Sequence, residues 1–317
     1  MNLVFFDIEC ASVSKTFAKI CAFGYVLADE NFNVIKKEDI LINPKGKFHL
    51  TDRKGDKGIV LPYEYSEFKN YPPFKNVYPF IKDLLEDKNN IVLGHATSND
   101  VKYLNLETKR YKLPSFNFSF SDSQILYSAS INDFSHSFGL EHIAESLNVD
   151  FTPHRAADDA FATMKVVEAL CKSFGADYLT LKEKLKVIDG KICAYSIKSP
   201  ASVKGIEYRK KIEEAKNERA ESRIRFFNYA SKKRKKLSGK FSGKVFTFSQ
   251  CFENDFETGK KLLDKIFAAG GTYSHRTVKC NYFVKDENDQ SARVVNAGKL
   301  ENLKIISVSQ LEEMLGV

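Results

Sequence analysis

The sequence lacks the features of a membrane protein and of a disulfide-stabilised secreted protein. No stretch approaches the roughly 18 uninterrupted apolar residues that a membrane-spanning helix needs. The N-terminal segment reaches an acid, Asp7, after only four apolar residues, which is not the pattern of a signal peptide. The six cysteines form no CxxC pair and no cysteine–histidine cluster with zinc spacing. We therefore expect reduced core cysteines in a cytoplasmic protein that does not bind membranes.

The sequence also lacks the composition of a disordered chain. Of its 317 residues, 43% are hydrophobic and 28% are charged, as in ordinary globular proteins. At roughly 100–200 residues per domain, this length predicts two domains.

Excess positive charge is confined to one segment. Residues 204–240 contain 14 lysines and arginines against 5 glutamates, a net charge of +9, whereas the whole chain carries +8. A localised basic segment is typical of a protein that binds a polyanion, most often nucleic acid. A solvated linker helix is the alternative. The charge is densest in a run that we expect to bind nucleic acid, formed by Lys232, Lys233, Arg234, Lys235 and Lys236.

The first 175 residues show the pattern of an α/β domain with a mixed sheet. Apolar strands first follow one another closely, which predicts an antiparallel meander, and then alternate with amphipathic helices. Strands are predicted at residues 3–8, 21–28, 34–42 and 91–93, and helices near residues 77–85, 99–104, 140–147 and 156–174.

Two further regions follow this domain. Residues 176–242 have little core-forming periodicity, and their helix-forming part carries oppositely charged pairs four residues apart, which predicts a basic, partly helical linker. Residues 243–317 resume alternating strands and helices, and Ser307 with Gln310 predicts a capping box for the last helix. We therefore expect a second, small α/β domain at 243–317.

The first candidates for chemistry are acidic. Asp7 and Glu9 end the first strand, and the strand period of two places both carboxylates on one face. A face that is simply solvated at the strand edge is the alternative. Asp100 opens a helix after a buried strand, and the helix dipole alone also favours an acid there.

A third segment combines a histidine with two acids. His154 stands four residues before Asp158 and five before Asp159, at the head of a long helix. On an ideal helix Asp158 lies about 40° from His154 and Asp159 about 140° away, so helical geometry alone pairs His154 with Asp158.

These groups converge if the strand ends and helix starts meet at one edge of the sheet. Hard oxygen ligands select Mg²⁺ or Mn²⁺ rather than zinc. Two such ions ~3.5–4 Å apart are a recurring device for phosphodiester hydrolysis. A neutral histidine beside them, with a pKa near ~6.5, can take the proton of the attacking water. The pattern therefore indicates a two-metal nuclease.

The motifs resemble those of the DEDDh family of 3′–5′ exonucleases, which includes the proofreading epsilon subunit of bacterial DNA polymerase III, ribonuclease T and oligoribonuclease. The matching segments are residues 5–9, 94–104 and 154–160, within a resemblance that spans about residues 1–175. It implies a ribonuclease H-like fold that binds two Mg²⁺ or Mn²⁺ ions, and it assigns the ligand role to Asp159 rather than Asp158. The catalytic residues it implies are Asp7, Glu9, Asp100 and Asp159 as metal ligands and His154 as general base.

Three residues depart from the family pattern. Cys10 stands where the family often has threonine, and Ala96 and Asn99 stand where it often has asparagine and phenylalanine. None of these residues is a metal ligand in the family, so we expect activity to survive. They affect how the 3′-terminal nucleotide is held, and the choice between DNA and RNA stays open.

Residues 243–317 resemble a BRCT domain, a small module that binds phosphopeptides or DNA ends. The resemblance is carried by Gly270 and Gly271 after a helix, by the strand at 282–284 and by the strand that leads into the last helix. The usual tryptophan of that helix is absent. By resemblance, Ser249 and Arg293 are candidates for a phosphate pocket.

The sequence as a whole predicts a metal-dependent 3′–5′ exonuclease that acts on single-stranded 3′ ends, preferably of DNA, in proofreading or repair. The BRCT-like domain implies a protein or DNA-end partner. An RNA-processing exoribonuclease is one alternative. A non-catalytic nucleic-acid adaptor is the other, and the intact set of acids argues against it.

Overall fold

The computed structural model describes residues 1–46, 68–150, 155–232 and 238–316. The chain forms two compact units, Met1–Tyr208 and Arg209–Val317. One long helix begins in the first unit and continues in the second.

The first unit alternates strands and helices after an initial run of three strands. In chain order, its described elements are β1 (Asn2–Val13), β2 (Ala18–Asp29), β3 (Val34–Leu41), α1 (Phe74–Glu86), β4 (Asn90–Gly94), α2 (Ser98–Arg110), β5 (Phe118–Asp122), α3 (Ser123–Ile131), α4 (Leu140–Ser146), α5 (Ala156–Ser173), α6 (Tyr178–Lys184), β6 (Val187–Ile188), β7 (Gly190–Cys193), β8 (Ser196–Lys198), β9 (Ala201–Ser202) and the start of α7 (Val203–Ala230).

The main sheet of this unit has seven strands in the order β3-β2-β1-β4-β5-β7-β8. The first three strands pair antiparallel, whereas β4 lies parallel to both β1 and β5. The predicted meander and the predicted mixed sheet are therefore confirmed.

The sheet continues beyond residue 175, where the sequence predicted the end of the domain. Strand β7 pairs antiparallel with β5, and β8 pairs with β7, so both belong to the same sheet. These two strands have only four and three residues, and each buries or half-buries a single isoleucine, Ile192 and Ile197. So short an apolar pattern does not stand out from that of a loop.

Strand β1 lies between two hydrophobic layers. Leu3 and Phe5 pack in the cluster that contains the inner face of α5, whereas Val4, Phe6 and Ile8 pack in the cluster that contains α1 and α2. Side chains alternate along a strand, so the odd-numbered positions face α5. Asp7 and Glu9 continue this odd-numbered row.

The second unit contains a four-stranded parallel sheet in the order β11-β10-β12-β13. After α7, its described elements are β10 (Val245–Phe248), α8 (Gln250–Asn254), α9 (Phe256–Ala268), β11 (Thr272–Tyr273), a 3₁₀ turn (Thr277–Lys279), β12 (Tyr282–Lys285), α10 (Ala292–Ala297), β13 (Lys304–Ser307) and α11 (Val308–Leu315). The predicted capping box of Ser307 and Gln310 is present at the start of α11.

This unit begins earlier than residue 243, where the sequence placed the second domain. Phe226 near the end of α7 is fully buried in its core, and Phe241 is buried there as well. The many charges of α7 hide this apolar contact in the sequence, because its last turns contribute only part of one face to the core. No described helix of either unit combines the length and apolar composition that crossing a membrane requires.

Candidate active site

The acid pair of β1 lies at the point where the ladder to β2 becomes irregular. Asp7 pairs with Gly24 and Glu9 with Ala22, and the register shifts directly after Glu9. A bulge of this kind bends a strand and redirects the side chains next to it. Both acids are half-buried on the face that α5 covers.

Gly24 allows α5 to approach this face. A Cβ atom at Gly24 would lie 2.0 Å from the carbonyl carbon of Ala156 and 2.0 Å from the nitrogen of Ala157. Any side chain at this position would therefore push the first turn of α5 away from β2. Asp159 lies in that first turn, so the glycine controls how closely Asp159 can approach Asp7.

Three carboxylates meet at this contact. Asp7, Glu9 and Asp159 each offer one oxygen atom, and these atoms all lie within 4.8 Å of one another. All three side chains are half-buried. A set of closely spaced hard oxygen ligands fits a divalent cation such as Mg²⁺ or Mn²⁺.

The raised pKa values of these acids also indicate a site that binds a cation. Loss of hydration, followed by the charges of Asp159 and Asp39, raises the pKa of Asp7 to about 8. Loss of hydration, followed by the charge of Asp7, raises the pKa of Glu9 to about 9. Without a positive charge between them, these acids resist ionisation at neutral pH.

Asp100 lies beside this group. It is buried in the first turn of α2. Burial and then the charge of Asp7 raise the pKa of Asp100 well above its usual range. Asp100 is therefore close enough to Asp7 for their charges to interact, although the group of three within 4.8 Å does not include it.

Asp122 holds the loop that precedes α2. Its carboxylate accepts hydrogen bonds from the backbone N–H groups of Ala96, Thr97 and Gln124 at 2.9–3.1 Å. Ala96 has a φ of +49°, in the left-handed region that favours glycine and asparagine. The bonds from Ala96 and Thr97 keep the loop in this strained conformation and so fix the start of the helix that carries Asp100, whereas the bond from Gln124 caps α3.

Strand β3 clamps the first turn of α5 through two ion pairs. Lys37 Nζ lies 2.6 Å from Asp158 Oδ1, and Arg155 Nε lies 3.5 Å from Asp39 Oδ2. Asp158 is thus paired with a lysine, whereas Asp159 faces the two acids of β1. Lys37 and Asp39 are two residues apart on one strand, so their side chains share a face.

Asp39 is the acid that the sequence reasoning missed. It pairs in register with Gly24, which pairs on its other side with Asp7. Its side chain is only 9% exposed, and its charge contributes to the raised pKa values of both Asp7 and Glu9. In the sequence, Asp39 is marked only by its position on a predicted strand. Strand register brings it to the site, and the sequence does not show that register.

Part of the predicted machinery lies outside the described residues. This applies to His154 and to four residues of the basic run, namely Lys233, Arg234, Lys235 and Lys236. The first residue of the run, Lys232, is exposed just beyond α7, and its ammonium group lies 5.8 Å from the ring centroid of Tyr229.

Ser249 and Arg293, predicted as a phosphate pocket, occupy different environments. Ser249 is fully buried, and its hydroxyl accepts a hydrogen bond from the backbone N–H of Asp286 at 3.1 Å. Arg293 lines an open cavity that Ser249 does not line, and it donates to Glu253 Oε1 at 2.7 Å. The structure therefore does not bring Ser249 and Arg293 to one open cavity, and the phosphate pocket formed by these two residues stays a prediction.

The chain is similar over part of its length to solved structures of exonucleases. Two solved structures of 3′-exonucleases align with 64% of this chain. One is described as showing 3′-end-specific recognition of a histone mRNA stem-loop by a 3′-exonuclease. It is 14% identical in sequence, the alignment covers 71% of its own length, and the TM-score is 0.49. The other is a full-length 3′-exonuclease. It is 15% identical in sequence, the alignment covers 90% of its own length, and the TM-score is 0.47.

A third structure, E. coli exonuclease I with a dA16 oligonucleotide, is 16% identical, with 58% of this chain and 42% of that chain covered and a TM-score of 0.43. A comparison with curated proteins found no match. The model of the RNase T exonuclease family matches residues 4–167, just over half of the chain, and these residues include Asp7, Glu9, Asp100 and Asp159. The chain therefore belongs to the RNase T family of exonucleases.

Proposed function

We propose that this protein is a metal-dependent 3′–5′ exonuclease that releases nucleotides from nucleic-acid 3′ ends by two-metal phosphodiester hydrolysis. The observation that carries the proposal is the approach of three half-buried carboxylates to within 4.8 Å of one another, in a chain of the exonuclease family. Like charges brought this close cost stability unless a cation binds them, and such a cost is typical of a functional site.

The metal ligands in this proposal are Asp7, Glu9, Asp100 and Asp159. Mg²⁺ or Mn²⁺, when bound, supplies positive charge that stabilises the phosphate in the transition state and lowers the pKa of a bound water. His154 accepts the proton of the attacking water. In the sequence His154 directly precedes Arg155, and the ion pair of Arg155 with Asp39 ties the start of α5 to β3.

We propose DNA as the preferred substrate, in proofreading or repair like that of the epsilon subunit, with RNA 3′ ends as the alternative that the assay below separates. For the second unit we propose a BRCT-like module that binds a protein or a DNA end. Its support is the parallel order β11-β10-β12-β13 together with the helices that follow β10, β12 and β13.

For the basic run at residues 232–236 we propose contact with the phosphate backbone of the bound strand. Five consecutive positive side chains cannot be buried in a core, and their spacing suits a polyanion. Replacing all five with glutamine should raise KM on a long strand and leave cleavage of a dinucleotide unchanged. Equal KM values on the long strand would indicate a solvated linker instead.

The test of activity is a hydrolysis assay on single strands labelled at the 3′ or the 5′ end, as DNA and as RNA, with Mg²⁺, with Mn²⁺ and with EDTA. We expect metal-dependent release of mononucleotides from the 3′ end. Asp159→Asn should lower turnover by several orders of magnitude, whereas Asp158→Asn on the same helix turn should retain most of it. Equal activity of both variants, or activity in EDTA, would contradict the proposal.

A further inference from the structure

The second unit contains an open cavity of about 660 Å³ that the exonuclease chemistry does not use. The last turns of α7 form one wall, with Arg223 and Phe227. Tyr273 and His275, at the end of β11 and just after it, also line the cavity, and so does Arg293 from α10. A cavity of this volume accommodates a ligand the size of a nucleotide.

The cavity has an excess of positive charge. Glu253 is fully buried beneath it and accepts hydrogen bonds from Arg223 Nη2 at 3.0 Å, from Arg293 Nη1 at 2.7 Å and from the Tyr273 hydroxyl at 2.7 Å. One carboxylate therefore orients two guanidinium groups and neutralises only one of them. The side chains of Arg223 and Arg293 stay 37% and 23% exposed, so both guanidinium groups keep N–H donors that a ligand can reach.

The cavity also has aromatic walls. The rings of Phe227 and His275 lie edge-to-face with their centroids 6.1 Å apart, and the guanidinium of Arg223 lies 5.3 Å from the centroid of Phe227. The residue His275 is exposed, so its imidazole is available for stacking. Cationic donors beside an exposed aromatic ring form the combination by which proteins hold unpaired bases and their phosphates.

We propose that this cavity binds one internal nucleotide of a single-stranded nucleic acid, with its phosphate on Arg223 and Arg293 and its base against Phe227 and His275. The identification of the ligand as the substrate strand rests on the proposed exonuclease function. A nucleic acid is favoured over a phosphopeptide because Ser231 lines the cavity and the five basic residues 232–236 follow it directly in the sequence. A chain with one phosphate per nucleotide matches such a run, whereas a singly phosphorylated peptide does not.

The test measures binding of a fluorescent 12-nucleotide single strand to the full chain in EDTA, so that no hydrolysis is required. His275→Ala should weaken binding about tenfold through loss of base stacking. Arg223→Gln should weaken binding and reduce the log–log salt slope by about 0.7, the contribution of one single-strand phosphate contact. Arg225→Gln is the matched control, because Arg225 lies two residues away on the same helix, is 63% exposed and pairs with Glu257 instead.

Arg223 also pairs with a buried acid, so Arg223→Lys and a melting curve for every variant separate loss of charge from loss of folding. Wild-type affinity in a folded His275→Ala or Arg223→Gln variant overturns the proposal. So does binding of a phosphoserine peptide that these substitutions abolish while leaving strand binding intact. Hydrolysis of a dinucleotide with Mn²⁺ is measured in parallel. If the dinucleotide is cleaved but the cavity variants bind the strand like the wild type, only the proposed role of the cavity is refuted. If the cavity variants lose binding but the wild type does not cleave, only the proposed exonuclease function is refuted.

Discussion

Replacing Asp7 with asparagine should stabilise the metal-free protein at high pH. The pKa of Asp7 is raised to about 8 in the folded protein, mainly by loss of hydration and then by Asp159, whereas an unfolded aspartate has a pKa near ~3.9. The folded state therefore holds a proton that the unfolded state has lost. Stability from this group is fully present below pH ~4 and is lost as the pH rises through about 8. Asparagine cannot ionise, so the variant escapes this loss.

The part of the effect that comes from charge repulsion follows from the spacing of the three carboxylates. At 4.8 Å two unit charges repel by about 3.5 kcal/mol at an effective dielectric constant of ~20, and by about 0.9 kcal/mol in water. Asp7 belongs to two of the three pairs. Because the group is half-buried, we expect Asp7→Asn to add about 2–3 kcal/mol at pH 9, about a quarter of that at pH 5 and close to nothing below pH ~4. At roughly 2–4 °C per kcal/mol, the Tm of the first unit should rise by roughly 4–12 °C at pH 9.

The assay is thermal unfolding in EDTA at pH 5, 7 and 9. The control is Asp158→Asn, which removes an acid from the same helix turn but breaks the ion pair with Lys37, so it should lower the Tm slightly at every pH. Adding Mn²⁺ at pH 9 should raise the Tm of the wild type more than that of Asp7→Asn, because the variant has lost a ligand. A gain of equal size at pH 5 and pH 9, or a loss at pH 9, would show that charge crowding does not govern this site.

Three further substitutions test the supports of the site. Gly24→Ala should lower both the Tm and the turnover, measured by melting and hydrolysis, because its Cβ would meet the backbone of Ala156 at 2.0 Å and displace the helix that carries Asp159. Ala96→Gly should raise the stability by about 1 kcal/mol in chemical denaturation, because it relieves a left-handed φ of +49° without removing the hydrogen bond to Asp122; an unchanged midpoint would contradict that strain. His154→Ala should abolish most of the hydrolysis and the rise of activity with pH near ~6.5, while the Mn²⁺-induced Tm increase stays as in the wild type.

The parts of the fold that local patterns determine could be predicted from the sequence. Alternation and continuous apolar runs indicate β1, β2 and β3, and the polar turn between the last two predicts their antiparallel pairing. The period of two also places Asp7 and Glu9 on one face without any knowledge of the tertiary structure. Burial of β1 on both sides is visible in the same run of apolar residues.

The contacts that complete the site depend on strand register and on tertiary packing. Neither of these can be read from a local sequence pattern. Asp39 reaches the acids only because β3 pairs with β2 so that Asp39, Gly24 and Asp7 form one row across the sheet. The cavity of the second unit depends on Phe226 packing into its core, which places Arg223 and Phe227 against the end of β11. In the sequence these residues belong to a highly charged helix with no evident apolar face.

The arrangement of the supports around the acids explains how the site tolerates its own repulsion. Asp159 stands in the first turn of α5, where the positive end of the helix dipole favours negative charge. The same turn is held to β3 by Lys37 and Asp39 and to β2 by the close contact at Gly24. Helix α5 in turn buries Ala160, Met164 and Val167 in the core. Because the packing of the helix rather than the acids stabilises this contact, the carboxylates stay together without a cation and are in place to bind one.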